Sequence, residues 1–373
     1  MTAARSLAPN SLVVLAAGGT GGHLFPAEAL ARALIGRGRP VALVTDKRGK
    51  EFPVDGVDTY RVRAGRLGGG LLGKAKFVLD LGRGILEARA LLGRLRPAAV
   101  VGFGGYPSMP TMVAATSLKL PTLIHDQNAV LGRANRMLAT RVRAIATSFG
   151  TVSGVPAADA PKIERTGNPV RPAVVAVRDL PYEPPTAEGP IRLLIIGGSQ
   201  GARILSRVVP EALKALAPAL KARLVVSQQV RPEDLEAVEA AYLGSGLAIE
   251  TKRFFDDIPA RLAAAHLVLA RAGGSTTAEL TVAGRPALLV PFAGAIADEQ
   301  TANARVLVDG GAAWMLSEAE FTVERVAARL TDLLSDGAAL ARAAVAAHAL
   351  GEPAAAERLA DLVERLTKSG ERP

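Results

Sequence analysis

The fold can be predicted from "LVVLAAGGTGGH", residues 12–23, which has a counterpart in "IRLLIIGGSQGAR", residues 191–203. Each stretch begins with a continuous apolar run of strand length and passes directly into closely spaced glycines. Such a run is typical of a strand that is buried on both faces of a parallel sheet. A glycine turn after this kind of strand brings backbone N–H groups close to a ligand phosphate. The repetition therefore predicts two similar domains, each with a phosphate-binding turn after its first strand.

Further apolar runs alternate with helical segments in both halves, and this alternation predicts parallel sheets with helices on both faces. The series breaks in the Pro-rich region 150–190, where we place the linker. We therefore expect an α/β protein with two doubly wound Rossmann-like domains facing across a cleft, 1–168 and 169–352, with a terminal helix in 353–373 that could pack on either domain, including back on the first. The predicted strands are Leu12–Ala17, Val41–Thr45, Ala98–Phe103, Pro121–His125, Ala144–Thr147, Ile191–Ile196, Ala222–Ser227, Leu247–Arg253, His266–Ala270, Pro286–Pro291 and Ala312–Leu316.

Composition narrows the function classes. The 373 residues include no cysteine, which excludes disulfides, thiolate nucleophiles and cysteine-ligated zinc. The formal net charge of +10 favours anionic partners, namely nucleic acid, phosphorylated ligands or an acidic membrane surface. Aromatic residues make up only 4% of the chain, which argues against a base-stacking platform and hence against nucleic acid as a partner.

The glycine turns fit no standard nucleotide motif. The first lacks the third glycine of G-x-G-x-x-G, because Leu24 stands there, and neither turn contains the G-K-[ST] of an ATPase. Asp46, at the end of the second strand, keeps a nicotinamide oxidoreductase open as an alternative. The simplest alternative is that the two glycine turns are tight turns that bind no ligand. Because both turns occur after the first strand of their half of the chain, this alternative is disfavoured.

Polar groups follow several predicted strands and could carry chemistry. His23 stands just after the first glycine turn, where a neutral imidazole could accept a proton from an attacking hydroxyl. "HDQN", residues 125–128, places a carboxylate and two amides after another strand. Glu279, expected in the first turn of its helix, could hold a ribose diol or cap that helix. The other three histidines are interpreted as structural, and four scattered histidines give no metal-ligand spacing.

Eight motifs taken together identify a family. They span nearly the whole chain in order, and the set resembles the MurG family, the GT-B glycosyltransferases of bacterial peptidoglycan synthesis. The resemblance implies transfer of N-acetylglucosamine (GlcNAc) from UDP-GlcNAc to the MurNAc 4-hydroxyl of undecaprenyl-pyrophosphoryl-MurNAc-pentapeptide (lipid I), giving lipid II and UDP. The motifs are "GGTGGHLFPA" (18–27), "GFGGYPS" (102–108), "HDQNAVLGRAN" (125–135), "GNPVR" (167–171), "GGSQGAR" (197–203), "FFDDIPA" (254–260), "RAGGSTTAEL" (271–280) and "DEQTANA" (298–304).

The resemblance also implies roles for individual residues. Glu279 would hold the ribose diol, the main chain at Phe255 would contact the uracil edge, and His23 would be the general base with Asp126 as its rival. The family commonly has Glu at the position of Asp126 and Gln or His at that of Glu299. The remaining donor-binding residues would be Thr20, Gly21, Gly22, Asn128, Arg171, Ser199, Gln200, Gly274, Ser275, Thr276 and Gln300, and the acceptor-binding residues Gly18, Gly19, Gly104, Gly105, Tyr106 and Asn135.

The implied reaction is an inverting displacement at the anomeric carbon, in which N–H donors and Arg171 stabilise the leaving diphosphate. No metal or other cofactor is required, and a stimulatory Mg²⁺ is left open. The expected location is the cytoplasmic face of the bacterial plasma membrane, without spanning it. Other wall-synthesis proteins are left open as partners. The expected membrane contact is the stretch 65–85, with Leu67, Leu71, Leu72 and Phe77 beside Lys74, Lys76 and Arg83.

Two further alternatives come from the fold rather than from the motifs. Another GT-B enzyme could transfer a UDP-sugar to a different lipid or to a small molecule, although "GFGGYPS" and "HDQN" argue against this. A non-enzymatic scaffold of the wall-synthesis machinery would leave the nucleotide site idle, and the intact set of polar residues around Glu279 argues against that.

Overall fold

A computed structural model describes residues 11–18, 21–47, 52–65, 70–198, 201–295 and 297–368. The chain forms two compact units, one made of Met1–Arg171 with Ala354–Pro373 and the other of Pro172–Pro353. The predicted sequence boundary lies at 168/169, whereas the units divide after Arg171. Both units are parallel α/β sheets with helices, as the apolar runs predict.

The first unit is built on a seven-stranded parallel sheet of order β3-β2-β1-β4-β5-β6-β7. Residues 13–16 of its central first strand are fully buried, because both sheet faces are covered. Its strands are β1 (Val13–Ala16), β2 (Val41–Asp46), β3 (Asp58–Val62), β4 (Ala99–Gly102), β5 (Thr122–Asp126), β6 (Ala144–Thr147) and β7 (Ile163–Arg165), and its helices include α1 (Gly21–Gly36), α2 (Gly70–Leu95), α3 (Gly105–Ser117) and α4 (Arg133–Leu138), with 3₁₀ turns at Ala139–Arg141 and Ala157–Lys162.

The second unit repeats the plan with a six-stranded sheet of order β10-β9-β8-β11-β12-β13. Its elements are α5 (Pro172–Val175), β8 (Ile191–Ile196), α6 (Arg203–Lys214), α7 (Pro218–Lys221), β9 (Leu224–Gln229), a 3₁₀ turn (Pro232–Asp234), α8 (Leu235–Tyr242), β10 (Ala248–Lys252), α9 (Ile258–Ala264), β11 (Leu267–Ala270), α10 (Gly274–Val282), β12 (Ala287–Leu289), α11 (Glu299–Asp309), β13 (Ala313–Met315), α12 (Val323–Ser335) and α13 (Gly337–Leu350).

The strand order places the candidate sites. In each unit the first strand lies between the second and fourth strands of that unit, so β1 pairs with β2 and β4, and β8 with β9 and β11. The second and third strands of each unit therefore lie on one side of its first strand, and the fourth and later strands lie on the other side. At this reversal of strand order a crevice opens at the carboxyl ends of the strands. The two glycine turns follow β1 and β8, at this point of each sheet.

The last helix, α14 (Ala355–Lys368), belongs to the first unit and packs on α1. Leu359 is buried in the same apolar cluster as Leu34 of α1. Arg37, just after α1, lies 2.6 Å from the Asp361 carboxylate. Burial of one apolar face is the main stabilisation, because an ion pair this exposed contributes about 0–1 kcal/mol.

The described helices do not include one that is long and apolar enough to cross a membrane. The stretch 97–118 contains no charged residue, and it forms β4 followed by α3.

Candidate active site

Three loops of the first unit converge at the carboxyl ends of β1, β4 and β5. His23 stands in the first turn of α1, directly after the glycine turn, of which residues 19 and 20 lie outside the described part of the chain. Gly104 and Gly105 follow β4 with φ of 85° and 72°, values that side chains rarely tolerate. A Cβ on Gly105 would stand 3.2 Å from Nε2 of His23. Glycine is thus required here both for the backbone conformation and for the close approach of the imidazole.

A chain of hydrogen bonds connects His23 to the interior of the unit. Nδ1 of His23 lies 2.8 Å from Oε1 of Gln127, and Nε2 of Gln127 lies 2.9 Å from Nδ1 of His125. Nε2 of His125 lies 3.0 Å from the Gly167 carbonyl. His125 is fully buried, and this burial lowers its pKa to about 4, against the raising effect of the bond to Gly167. His125 is therefore neutral at physiological pH.

Asp126 has fixed partners on both carboxylate oxygens. Oδ1 accepts from the backbone N–H of Asn128, and Oδ2 accepts from the Gly132 N–H at 2.8 Å and from Nδ2 of Asn135 at 2.9 Å. The carboxylate is 2% exposed, and burial raises its pKa while these three hydrogen bonds lower it. A raised pKa is what a rival base would need, but the geometry favours a positioning role, in which Asp126 holds the loop that carries Asn128 and Asn135.

We expect Asp126→Asn to destabilise the protein by about 1–3 kcal/mol, because an amide has only one acceptor oxygen. Its nitrogen must face at least one of the three donors and leave that buried N–H unsatisfied. Chemical denaturation measures the loss, with Asp332→Asn on the exposed surface of α12 as the matched control. Equal stability of the two variants would contradict the positioning role.

Two other predicted residues of the first unit lie near aromatic rings. The Arg171 guanidinium lies 4.9 Å from the centroid of the Phe25 ring. Phe25 belongs to the first two turns of α1. Tyr106, at the start of α3, makes an edge-to-face contact with Phe77 of α2 at 5.9 Å. The structure thus brings Arg171 to the helix that carries His23, and it ties the loop after β4 to the helix predicted to meet the membrane.

In the second unit the glycine turn follows β8. A Cβ on Gly197 would stand 2.5 Å from the backbone nitrogen of Ala202, so only glycine fits. The Gly197 N–H donates to the Gln229 side chain at 3.3 Å, which joins the turn to β9. Ser199 and Gln200 lie outside the described residues, so their predicted diphosphate contacts stay predictions.

Helix α10 presents the other predicted donor residues. It begins at Gly274 after the extended Gly273, so Gly274, Ser275 and Thr276 form its first turn. The prediction that Glu279 lies in that turn is wrong, because the helix starts earlier and Glu279 belongs to its second turn. Glu279 therefore does not stand at the capping-box position, and its burial, at 8% exposure, fits a ligand contact.

The loops after β10 and β12 carry the remaining predicted residues. Phe255 is buried, with the Arg261 guanidinium 4.0 Å from its ring centroid. Oε1 of Gln300 accepts from the Phe292 N–H at 3.1 Å. Glu299 accepts from the Ala297 N–H at 3.2 Å. These contacts hold both loops at the carboxyl edge of the sheet, where the turn after β8 also lies.

Gln127 is the site residue to which sequence reasoning assigned no role. It lies in "HDQN" but is named there only as one of two amides, and its contact with His23 spans 104 residues. Among the described residues, no group of three or more His, Asp or Glu side chains could hold a metal ion.

Comparison with known proteins establishes the class. Residues 13–147 match the glycosyltransferase family 28 N-terminal domain, and residues 192–366 match the family 28 C-terminal domain. The chain belongs to glycosyltransferase family 28. The predicted enzyme class and the prediction of two doubly wound domains are therefore confirmed, and the nicotinamide oxidoreductase is excluded.

Relatives with more specific names extend the comparison. A protein of Rhodospirillum centenum is 56% identical over 360 residues, covering 96% of this chain and 94% of the relative, and one of Paramagnetospirillum magneticum is 56% identical over 355 residues, covering 94% and 96%. Both are named UDP-N-acetylglucosamine--N-acetylmuramyl-(pentapeptide) pyrophosphoryl-undecaprenol N-acetylglucosamine transferase. The crystal structure of Acinetobacter baumannii MurG superposes with a TM-score of 0.76 at 30% identity, covering 96% of this chain and 100% of that one. The resemblance to the MurG family is confirmed.

Proposed function

We propose that this chain transfers GlcNAc from UDP-GlcNAc to the MurNAc 4-hydroxyl of lipid I and releases UDP and lipid II. The observation that carries the proposal is the 56% identity over 96% of the chain to a transferase named for this donor sugar and this acceptor. A different acceptor is disfavoured, because the identity extends through the first unit as well as the second.

The two units divide the substrates between them in this proposal. The second unit binds UDP-GlcNAc with the turn after β8, the first turn of α10 and Glu279. The first unit binds the acceptor pyrophosphate with the glycine turn before α1 and the loop after β4. What supports the division is that each set of loops lies at the carboxyl edge of its own parallel sheet, next to the reversal of strand order.

The reaction is a direct displacement with inversion. The MurNAc 4-hydroxyl attacks the anomeric carbon, His23 accepts its proton, and the bond between that carbon and the diphosphate breaks. The leaving UDP gains negative charge, which backbone N–H groups at the start of α10 and the Arg171 guanidinium stabilise. These donors supply the positive potential that a metal ion provides in other transferases, so the proposal needs no metal.

Ligand-induced melting shifts test the donor class. The proposal predicts that UDP raises the melting temperature more than UMP does, because the diphosphate contacts the glycine turn and α10, and that NAD has no effect. An equal shift with UMP would show that the diphosphate is not bound. A shift with NAD would overturn the choice of donor.

A second proposal concerns the membrane surface. Val78, Leu79 and Leu86 of α2 are 66%, 54% and 68% exposed, and Arg83 and Arg89 are exposed on the same helix. Apolar side chains that enter the lipid interface beside basic groups give reversible binding to anionic membranes. Of the predicted contact residues, Leu67 and the side chains of Leu71, Leu72, Lys74 and Lys76 lie outside the described part, and Phe77 is partly buried against Tyr106.

We expect Leu79→Glu with Leu86→Glu to abolish most binding to phosphatidylglycerol vesicles, because charge is introduced into the apolar contact. Co-sedimentation measures the bound fraction, which should also fall with added salt in the unaltered protein. The control is Val345→Glu, at an equally exposed valine of α13 (72% exposed). Loss of binding in the control alone would place the contact on the second unit.

A further inference from the structure

We propose that Gln127 and His125 are positioning residues that hold neutral His23 in the tautomer protonated on Nδ1, which leaves the lone pair on Nε2 for the attacking hydroxyl. The proposal rests on the proposed role of His23 as the base. Gln127 follows Asp126 in the sequence, but the function assigned to it here is to orient the His23 ring and not to act with the Asp126 carboxylate.

The Gly167 carbonyl sets the direction of the chain. A carbonyl oxygen only accepts hydrogen bonds, so Nε2 of His125, 3.0 Å away, must carry a proton. Because His125 is fully buried and neutral, its other ring nitrogen, Nδ1, carries none and is an acceptor.

The orientation of the Gln127 amide follows. One end of this amide lies 2.9 Å from the bare Nδ1 of His125 and 3.1 Å from the backbone oxygen of His125. Both partners are acceptors, so this end must be the NH₂ group, and each of its two protons has a partner. A flipped amide would put its oxygen against two acceptors. The oxygen of Gln127 therefore faces His23.

The tautomer of His23 is then determined. Nδ1 of His23 lies 2.8 Å from the Gln127 oxygen, which only accepts, so Nδ1 carries a proton. Neutral imidazole has one ring proton, and Nε2 is left with the lone pair. The Nε2 edge lies against the loop after β4, where a Cβ on Gly105 would stand 3.2 Å from it. The basic nitrogen thus faces the loop assigned to the acceptor.

The same contact serves the proton transfer. As the hydroxyl attacks, its O–H bond breaks, the electron pair stays on the attacking oxygen, and the proton forms a new bond to Nε2. The resulting imidazolium keeps its Nδ1–H bond to Gln127. Because glutamine is neutral, it orients the ring without the electrostatic rise in pKa that a carboxylate partner would cause.

Tautomer measurement by NMR on protein labelled with ¹⁵N-histidine tests the proposal without substrate. Two-bond ¹H–¹⁵N spectra distinguish the Nδ1–H and Nε2–H forms, and the chain has only four histidines to assign. His23→Gln identifies the His23 signals, and His348→Gln in the second unit is the control that should leave them unchanged. We expect His23 to be Nδ1–H in the unaltered protein and mainly Nε2–H in Gln127→Leu.

Kinetics of two variants complete the test. Gln127→Leu should lower kcat by about 10- to 100-fold with the KM for UDP-GlcNAc unchanged, as loss of an orienting hydrogen bond does. Gln127→Glu still accepts from Nδ1–H but adds a negative charge, so the acid limb of its pH–rate profile should move to higher pH. Circular dichroism checks that both variants are folded.

Two contrary results distinguish a wrong tautomer assignment from a wrong proposed function. An Nε2–H form of His23 in the unaltered protein would overturn the proposal, as would an acid limb in Gln127→Glu at the same pH as in the unaltered enzyme. An Nδ1–H form in a protein without transferase activity would support the tautomer assignment and overturn the proposed function instead.

Discussion

Replacing His23 by alanine is expected to lower kcat by about 10²- to 10⁴-fold, with the KM for UDP-GlcNAc little changed. An alcohol is a poor nucleophile until its proton has an acceptor, and a neutral imidazole within hydrogen-bond reach can accept that proton. Steady-state kinetics with a soluble lipid I analogue measures both constants. A positioning contact to the acceptor pyrophosphate would behave differently, because its loss would chiefly raise the KM for the acceptor.

Asp126→Asn is the matched comparison for this experiment. Its carboxylate holds the loop through three hydrogen bonds, so we expect a lower stability but a smaller loss of kcat than in His23→Ala when both variants are folded. A near-normal kcat in His23→Ala together with a collapsed kcat in Asp126→Asn would reverse the two roles.

Glu279→Ala is expected to weaken UDP-GlcNAc binding by about 10- to 100-fold. A charge-assisted contact from a buried carboxylate to the ribose diol contributes about 1.5–3 kcal/mol, and alanine removes both hydrogen bonds at once. Isothermal titration with UDP-GlcNAc gives the dissociation constant.

The control for Glu279 is Glu236→Ala, on the exposed surface of α8 in the same unit. It removes one negative charge at an exposed position that none of the predicted donor contacts uses, so its affinity should match that of the unaltered protein. If Glu279→Ala binds as tightly as this control, the ribose contact is made by another group.

Most of the sheets could be predicted from the sequence because their strands are buried on both faces. The strands β1 and β8 read as continuous apolar runs for this reason. The prediction missed β3 and β7, since these edge strands are exposed or partly exposed and contain charged residues such as Asp58 and Glu164. Neither of these two edge strands contains a continuous apolar run, because each has only one neighbouring strand and little burial.

The candidate site was predictable only in part. His23, Asp126 and Glu279 stand in motifs that follow strands, and their chemistry is evident from residue type. The turn of Glu279 was misplaced because Gly273 caps α10 through its extended backbone rather than through a side chain. The link from His23 to Gly167 depends on contacts between three segments distant in sequence, and no local pattern encodes such contacts.

A single assay can measure the transfer of GlcNAc to the MurNAc 4-hydroxyl. Purified protein is incubated with UDP-GlcNAc labelled in the sugar and with a lipid I analogue, and the lipid-extractable label and the anomeric configuration of the product are measured. We expect the label to move to the acceptor with inversion at the anomeric carbon, and one UDP to be released for each sugar transferred. Release of UDP with free GlcNAc and no labelled acceptor, or transfer to an acceptor without the MurNAc 4-hydroxyl, would contradict this expectation.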